Sequence, residues 1–254
     1  MILTTEALAR VQSFCQAYEL QVPVLMAPMA GACPPSLAIA VAKAGGMGAC
    51  GVLLMGPEKI ADWVGSVRST TNGAFQLNTW IPDPAPVRDT AHERRVREFL
   101  GAWGPEVAEV AAEVSAPDFE AQCDAMLAAG PAVISSIMGL YSPEFIVRMK
   151  AANIRWFATA TTVAEAVAAE AAGADVVVAQ GMEAGGHRGA FAAADADAHL
   201  VGLFSLLPAV VDAVSVPVVA TGGIADARGV AAAMLLGASA VQVGTGLLRA
   251  PEAG

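Results

Sequence analysis

Eight short apolar runs recur along the chain, at 22–27, 47–52, 75–81, 132–138, 154–159, 175–179, 216–220 and 240–243. Runs of this length that are apolar nearly throughout predict strands buried on both faces, as in a parallel sheet. Stretches of helical character alternate with them, at 35–44, 57–70, 119–129, 143–152, 162–172, 200–213 and 226–236. The punctuation agrees with that division. Pro34-Pro35-Ser36 opens the first of these helices and Gly45-Gly46 stops it, while Gly173 and Gly237 end two others. A short amphipathic helix over 4–19 precedes the repeat. The stretch 82–118 breaks the rhythm: it carries Pro82, Pro84, Pro86, Pro105 and Pro117 and the charged cluster His92-Glu93-Arg94-Arg95. It reads as an excursion with one or two short helices and a solvated charged face.

Strict alternation of strand and helix implies right-handed crossovers and a parallel sheet. Eight such units close into an α/β fold of the (β/α)8, or TIM-barrel, type, with a doubly wound open sheet as the alternative. The length of 254 residues matches one such domain, which takes about 250. Only seven helices follow strands before the sequence stops after strand eight, so the expectation is a single domain, 1–254, that lacks its eighth helix and continues in a longer chain.

Composition narrows the partners. Hydrophobic residues make up 56% of the chain and charged residues 15%, enough for a large core and too apolar for disorder. With 14 Lys and Arg against 24 Asp and Glu, the formal net charge is −10. That excludes nucleic acid and anionic membrane surfaces as natural partners and leaves any phosphate to backbone N–H groups. No apolar run reaches the roughly 18 residues of a membrane span, and the N-terminus, with Glu6, lacks the order of a signal peptide. Cys15, Cys33, Cys50 and Cys123 are scattered without a CxxC pair. They read as small hydrophobes in a reducing, cytoplasmic setting and give no zinc site.

The candidate chemistry lies at strand ends. The run 176–179 passes abruptly into Gln180, Glu183, His187 and Arg188 interspersed with Gly181, Gly185, Gly186 and Gly189, and a barrel puts its chemistry in such loops. A plain turn with an exposed His187 is the competing reading. Strands seven and eight end in Thr221-Gly222-Gly223 and Gly244-Thr245-Gly246. Glycine lets backbone approach an oxyanion closely and the next helix adds its positive end, so two such ends in succession predict a phosphate-bearing ligand. The only lysines, Lys43, Lys59 and Lys150, fall in predicted helices, which leaves no Schiff-base lysine at a strand end. The strand ends carry too few carboxylates and histidines for a metal site. Chemistry here would have to be borrowed from a cofactor.

These residues carry a resemblance. Ala27-Pro28-Met29-Ala30-Gly31, Gly45-Gly46-Met47-Gly48, Gln76-Leu77-Asn78, the run from Gln180 through Glu183-Ala184-Gly185-Gly186-His187 to Gly189, Ala220-Thr221-Gly222-Gly223-Ile224 and Val241-Gln242-Val243-Gly244-Thr245 resemble the nitronate monooxygenases, formerly 2-nitropropane dioxygenases. The resemblance covers nearly the whole chain apart from 82–118. It implies an FMN-dependent barrel that oxidises alkyl nitronates, and neutral nitroalkanes, with O2 to carbonyl compounds and nitrite. By position it implies that Ala27, Pro28 and Met29 face the flavin ring and that Asn78 and Gln180 hydrogen-bond its polar edge. Gly185, Gly186, Gly222, Gly223, Gly244 and Thr245 would line its phosphate. His187 would be the base that takes a proton from a nitroalkane, or the group that orients the nitronate; one imidazole suffices for so acidic a proton.

Other readings stay open at this point. An FMN-dependent enoyl-acyl carrier protein reductase shares the fold and much of the motif, and an NADH:quinone reductase of the same superfamily is a further alternative. A non-catalytic flavin- or phosphate-binding barrel is the reading from a different class. Met29 could be a core filler, Glu183 could brace its own loop, and Trp80 could line a pocket or merely pack. Arg188 reads as a loop brace or phosphate-side cation, and His92 and His199 as surface residues.

Overall fold

A computed structural model describes residues 5–84, 87–113 and 117–254. The helix α1 (Thr5–Ala17) precedes β1 (Val24–Met26), α2 (Pro35–Lys43), β2 (Gly48–Gly51), α3 (Pro57–Arg68) and β3 (Phe75–Trp80). The excursion holds α4 (Thr90–Gly101) and a 3-10 turn, Glu109–Glu113. Then come α5 (Phe119–Ala129), β4 (Val133–Ile137), α6 (Pro143–Ala151), β5 (Arg155–Ala160), α7 (Val163–Ala172) and β6 (Val176–Gln180). The series ends with α8 (Leu203–Ala213), β7 (Val218–Thr221), α9 (Ala227–Leu235) and β8 (Ala240–Val243), followed by two 3-10 turns.

All eight strands are parallel, in the order β1-β8-β7-β6-β5-β4-β3-β2. The remaining seam closes through a parallel bridge between Leu25 and Met47, where Met26 N donates to Met47 O at 2.9 Å and Met47 N to Val24 O at 3.1 Å. The sheet is therefore a barrel, and the open-sheet alternative falls. All eight expected strands are present, and the largest shifts in their ends, at the first and the seventh, have chemical causes. The first begins at 24, because Gln21 and Val22 both donate to Gly45 O and Pro23 has no N–H to give. The seventh begins at 218, just after Pro217. In the excursion no residue of α4 is buried, as its charged pattern predicts. Position 4 of the expected first helix and positions 85–86 and 114–116 of the excursion lie outside the described residues.

Inside, the barrel is graded. At its N-terminal end Leu25, Met47, Val133, Phe157, Val176, Val178, Val219 and Ala240 pack into one cluster with Phe14 and Leu20. The Phe14 and Tyr18 rings stand 6.2 and 5.1 Å from Phe157, so α1 closes that mouth. Toward the C-terminal end the buried side chains turn polar: Gln76, Asn78, Ser135, Thr159, Gln180, Thr221 and Gln242. The opposite faces of the strands meet the inward faces of the helices in a second, larger cluster. Capping holds helices against the rim. Thr162 and Glu165 form a reciprocal capping box on α7, which satisfies orphan amides from both sides. No helix among the described residues is long and apolar enough to cross a membrane. The four cysteines are free, and burial pushes the Cys33, Cys50 and Cys123 thiols up, the last to about 12.

Candidate active site

The loop after β6 is tied down on both sides of its Gly185-Gly186 pair, and at His187 through the backbone alone. Gln180 Nε2 donates to His187 O at 3.1 Å, and Gly189 N donates to Gln180 Oε1 at 2.8 Å. Arg188 folds back so that Nη1 reaches Gly181 O at 2.8 Å and Nη2 reaches Gln180 O at 2.9 Å. Phe191 N donates to Glu165 Oε1 at 2.7 Å, which bolts the loop to the cap of α7. Both oxygens of Glu183 accept from Leu203 N, at 3.0 and 2.9 Å, at the start of α8. Partial burial lowers the Arg188 pKa, and the nearby Glu165 and Glu183 carboxylates oppose that fall. The imidazole of His187 is exposed, and among the described residues no hydrogen bond occupies its ring nitrogens. Its one close ring neighbour is Trp80 at the end of β3, with centroids 4.4 Å apart and planes at 61°.

On one side of His187 the ends of β6, β7, β8 and β1 converge. A Cβ on Gly185 would stand 2.7 Å from Thr245 Oγ1, and one on Gly244 would stand 3.3 Å from Ala27 Cβ and 3.6 Å from Met29 Sδ. Gly222, at φ +125°, would put a Cβ 3.1 Å from Ala184 N, and that φ alone excludes an ordinary side chain. Among the described residues the N–H groups of Gly185, Gly186, Gly222 and Gly223 donate to no protein acceptor. The result is a cradle of free glycine amides, edged by the side chains of Thr245, Ala27 and Met29. The α9 terminus departs from expectation. Asp226 accepts from Arg228 N and Gly229 N, both at 3.0 Å, so the helix end is occupied by its own cap and the cradle rests on loop amides.

On the other side lies a cavity of about 480 Å³, bordered by Trp80, His187 and Arg188 and walled by Leu53, Ile81, Phe119 and Met138. Both roots of the excursion contribute to that wall, through Ile81, Pro82, Asp83 and Pro117. Gln122, itself in the lining, ties the wall together: its Nε2 donates to Val52 O, Leu53 O and Met55 O at 2.9–3.0 Å.

A profile of the family described as nitronate monooxygenase matches residues 12–254. The chain belongs to the nitronate monooxygenase family. It is similar to a probable nitronate monooxygenase from Staphylococcus aureus strain Newman, 36% identical over 243 residues, which cover 93% of this chain and 67% of that one. Among solved structures it is similar to a nitroalkane oxidase from Streptomyces ansochromogenes, with a TM-score of 0.81, 34% identity, and coverage of 93% of this chain and 68% of the other. It is also similar to FabK from Thermotoga maritima, with a TM-score of 0.72, 30% identity, and coverage of 94% and 63%. The chain is thus an oxidoreductase of this family.

The fold groups most of the residues that the family resemblance singles out. Ala27, Met29, Gly185, Gly222, Gly244 and Thr245 meet through the contacts above, with Gly186 and Gly223 beside them in sequence and Pro28 between Ala27 and Met29. Asn78 is buried and donates from Nδ2 to Ser135 Oγ on β4 at 3.0 Å. Gln180 spends both ends of its amide on the His187 loop. Glu183 braces its loop, Arg188 does likewise, and His92 and His199 are exposed. The sequence reading missed two residues. Trp80 was left between two roles and stands against His187. Gln76 lies fully buried, donates to Met26 O and Gln242 Oε1 at 3.0 and 3.1 Å, and leaves its own Oε1 without a partner among the described residues. The signal for Gln76 was a polar residue in an apolar run, the same signal that singled out Asn78.

Proposed function

We propose that this member of the family oxidises alkyl nitronates with O2 to carbonyl compounds and nitrite, accepts neutral nitroalkanes as well, and does so with FMN. The observation that carries the reading is the position of His187, between a cradle of unpaired glycine amides and an apolar cavity. The residues present fit a flavin mononucleotide. Free backbone N–H groups suit a phosphate in a chain of net charge −10, and Gly185 and Gly222 leave open the space that a Cβ would take. The orphan Gln76 Oε1 offers a buried acceptor in the barrel's polar end. Bound there, FMN would supply the electron-accepting chemistry that no side chain of this site has.

The chain's own residues would do the rest. For a neutral nitroalkane, a ring nitrogen of His187 takes the proton from the carbon bearing the nitro group. For a nitronate that proton is already gone, and the imidazole only orients the anion. Trp80 limits the ring's swing by packing against it. The nitroalkane oxidase likeness supports this reading over reduction by a pyridine nucleotide.

The test uses the full-length, cofactor-loaded protein. Denaturation should release FMN, and oxygen uptake should follow addition of a nitronate but not of NADH or NADPH. Release of FAD would overturn the FMN assignment, and rapid bleaching by NADH without nitronate turnover would overturn the oxidation reading in favour of a reductase. Binding without turnover of either would leave a non-catalytic barrel.

A further inference from the structure

We infer that Gln76 is a positioning residue: it holds the Gln242 amide with its nitrogen toward the open rim, as a hydrogen-bond donor that favours the reduced form of a bound flavin. This rests on the cofactor part of the function proposed above and not on the nitronate. Met26 O is a main-chain carbonyl and can only accept. The Gln76 atom 3.0 Å from it is therefore nitrogen, and the Gln242 atom 3.1 Å from that same nitrogen is therefore oxygen. A single NH2 group serves both, with one hydrogen for each. Gln242 is left with its own Nε2. Among the described residues that nitrogen has no acceptor, yet it is not sealed off as Gln76 Oε1 is. Gln242 keeps 7% of its surface and Gln76 none. Phe14 and Leu20 close the lower mouth, so the opening is toward the upper rim. There Gln242 pairs in register with Thr221, which pairs with Gln180, and Gly244 of the cradle follows on the same strand end.

Packing does not account for Gln76. Its Oε1 is buried without a partner among the described residues, which is costly, and a Met would fill much the same space without that cost. An apolar residue could not pass the polarity of Met26 O across the barrel to Gln242. Cations do not supply a substitute. Lys43, Lys59 and Lys150 lie in α2, α3 and α6, away from the strand ends, and Arg188 spends both terminal nitrogens on Gly181 O and Gln180 O. Reduction makes a flavin more electron-rich, and hydrogen bonds to its ring tune how readily it is reduced. A donor fixed in advance stabilises the electron-rich form more than the oxidised one.

The experiment measures the midpoint potential of the full-length, flavin-loaded protein. Gln76→Met should weaken binding of the reduced flavin about tenfold relative to the oxidised one, a fall of about 30 mV for a two-electron couple. Gln242→Met should give a fall of similar size, and the double variant no further fall, because Gln76 acts through Gln242. A merely structural Gln76 would leave the potential alone or add its effect to that of Gln242. A bound flavin whose potential is unchanged or raised in Gln76→Met, or additive falls in the double variant, overturns the inference and leaves the proposed function standing. A second measurement needs no variant of Gln76. In the wild-type protein stripped of flavin, hydrogen exchange at the side-chain amides, followed by NMR with the Gln242 signals assigned by their loss in Gln242→Met, should be slow for Gln76 and fast for Gln242. Adding FMN should then protect the Gln242 protons. Slow exchange at Gln242 without flavin, or no protection when flavin binds, overturns the inference even if Gln76→Met does not fold. If no flavin is taken up, the proposed function fails. Exchange without flavin then decides the orienting role by itself: fast Gln242 beside slow Gln76 supports it, and any other order overturns it.

Discussion

The two sides of the barrel rim are built in opposite ways. At the ends of β6, β7, β8 and β1 the chain removes side chains and presents amides, and adjacent loops approach so closely that a single Cβ would collide with Thr245 or Ala184 N. At the end of β3, with the roots of the excursion, it does the reverse and fills the rim with Trp80, Ile81, Phe119 and Met138 around an open cavity. His187 stands at the boundary, backed by Gln180, Arg188 and Glu165. Bare backbone recognises a charge that every substrate cycle shares, whereas side chains recognise a shape that can vary from one relative to the next. The division predicts that cofactor retention and substrate handling can be damaged separately.

The sharpest break is at the boundary. His187→Asn should lower kcat/KM for neutral nitroethane by about 10²–10⁴-fold, the usual range for a general base, with much less effect on the pre-ionised nitronate and with the flavin retained. Equal losses on both substrates would make His187 an orienting group. On the glycine side, Gly222→Ala forces a side chain into a positive-φ position. At a cost of about 1–2 kcal/mol this should weaken FMN binding by roughly tenfold, read as flavin lost on gel filtration, while the order of preference among nitronates stays the same. A variant that keeps its flavin and changes that order would break the division. The smallest effect belongs to the apolar side. Trp80→Phe alters the edge contact with His187, worth about two- to tenfold by the strength of aromatic pairs. It should lower kcat/KM for neutral nitroalkanes and leave flavin content unchanged; loss of flavin instead would place Trp80 with the cofactor.

The same contrast explains what the sequence disclosed. Parallel strands buried on both faces write themselves as apolar runs, so all eight were legible; the two-residue errors at the starts of the first and seventh fall at Pro23 and Pro217, and the others are off by at most one residue. The crowding on the glycine side was legible only because two successive strands end in glycines, since a single glycine pair after a strand often serves only a turn. The apolar side was not. Ile81, Phe119 and Met138 look like core residues in any sequence, and only the three-dimensional path of the excursion turns them into a wall. Trp80 and Gln76 fall between these cases, since a strand residue's face is known only once register is fixed. The helix-end contribution expected at α9 was misjudged for a local reason: Asp226 in the sequence is a good N-cap, and a cap competes with any ligand for the same amides.

The first helix has a kinetic consequence. Phe14, Tyr18 and Leu20 seal the lower mouth against Phe157 and its neighbours, and Arg10 Nη2 moors that helix to Met234 O at 2.8 Å. Among the described residues the barrel is a vessel with its lower mouth stoppered and its upper rim open. Reactants enter and products depart through the same opening, past the same indole and imidazole, so no through-flow can flush the chamber. On the proposed function, a departing carbonyl compound would occupy the space the next nitronate must enter, and accumulating product would slow turnover by standing in the doorway rather than by acting at a distance.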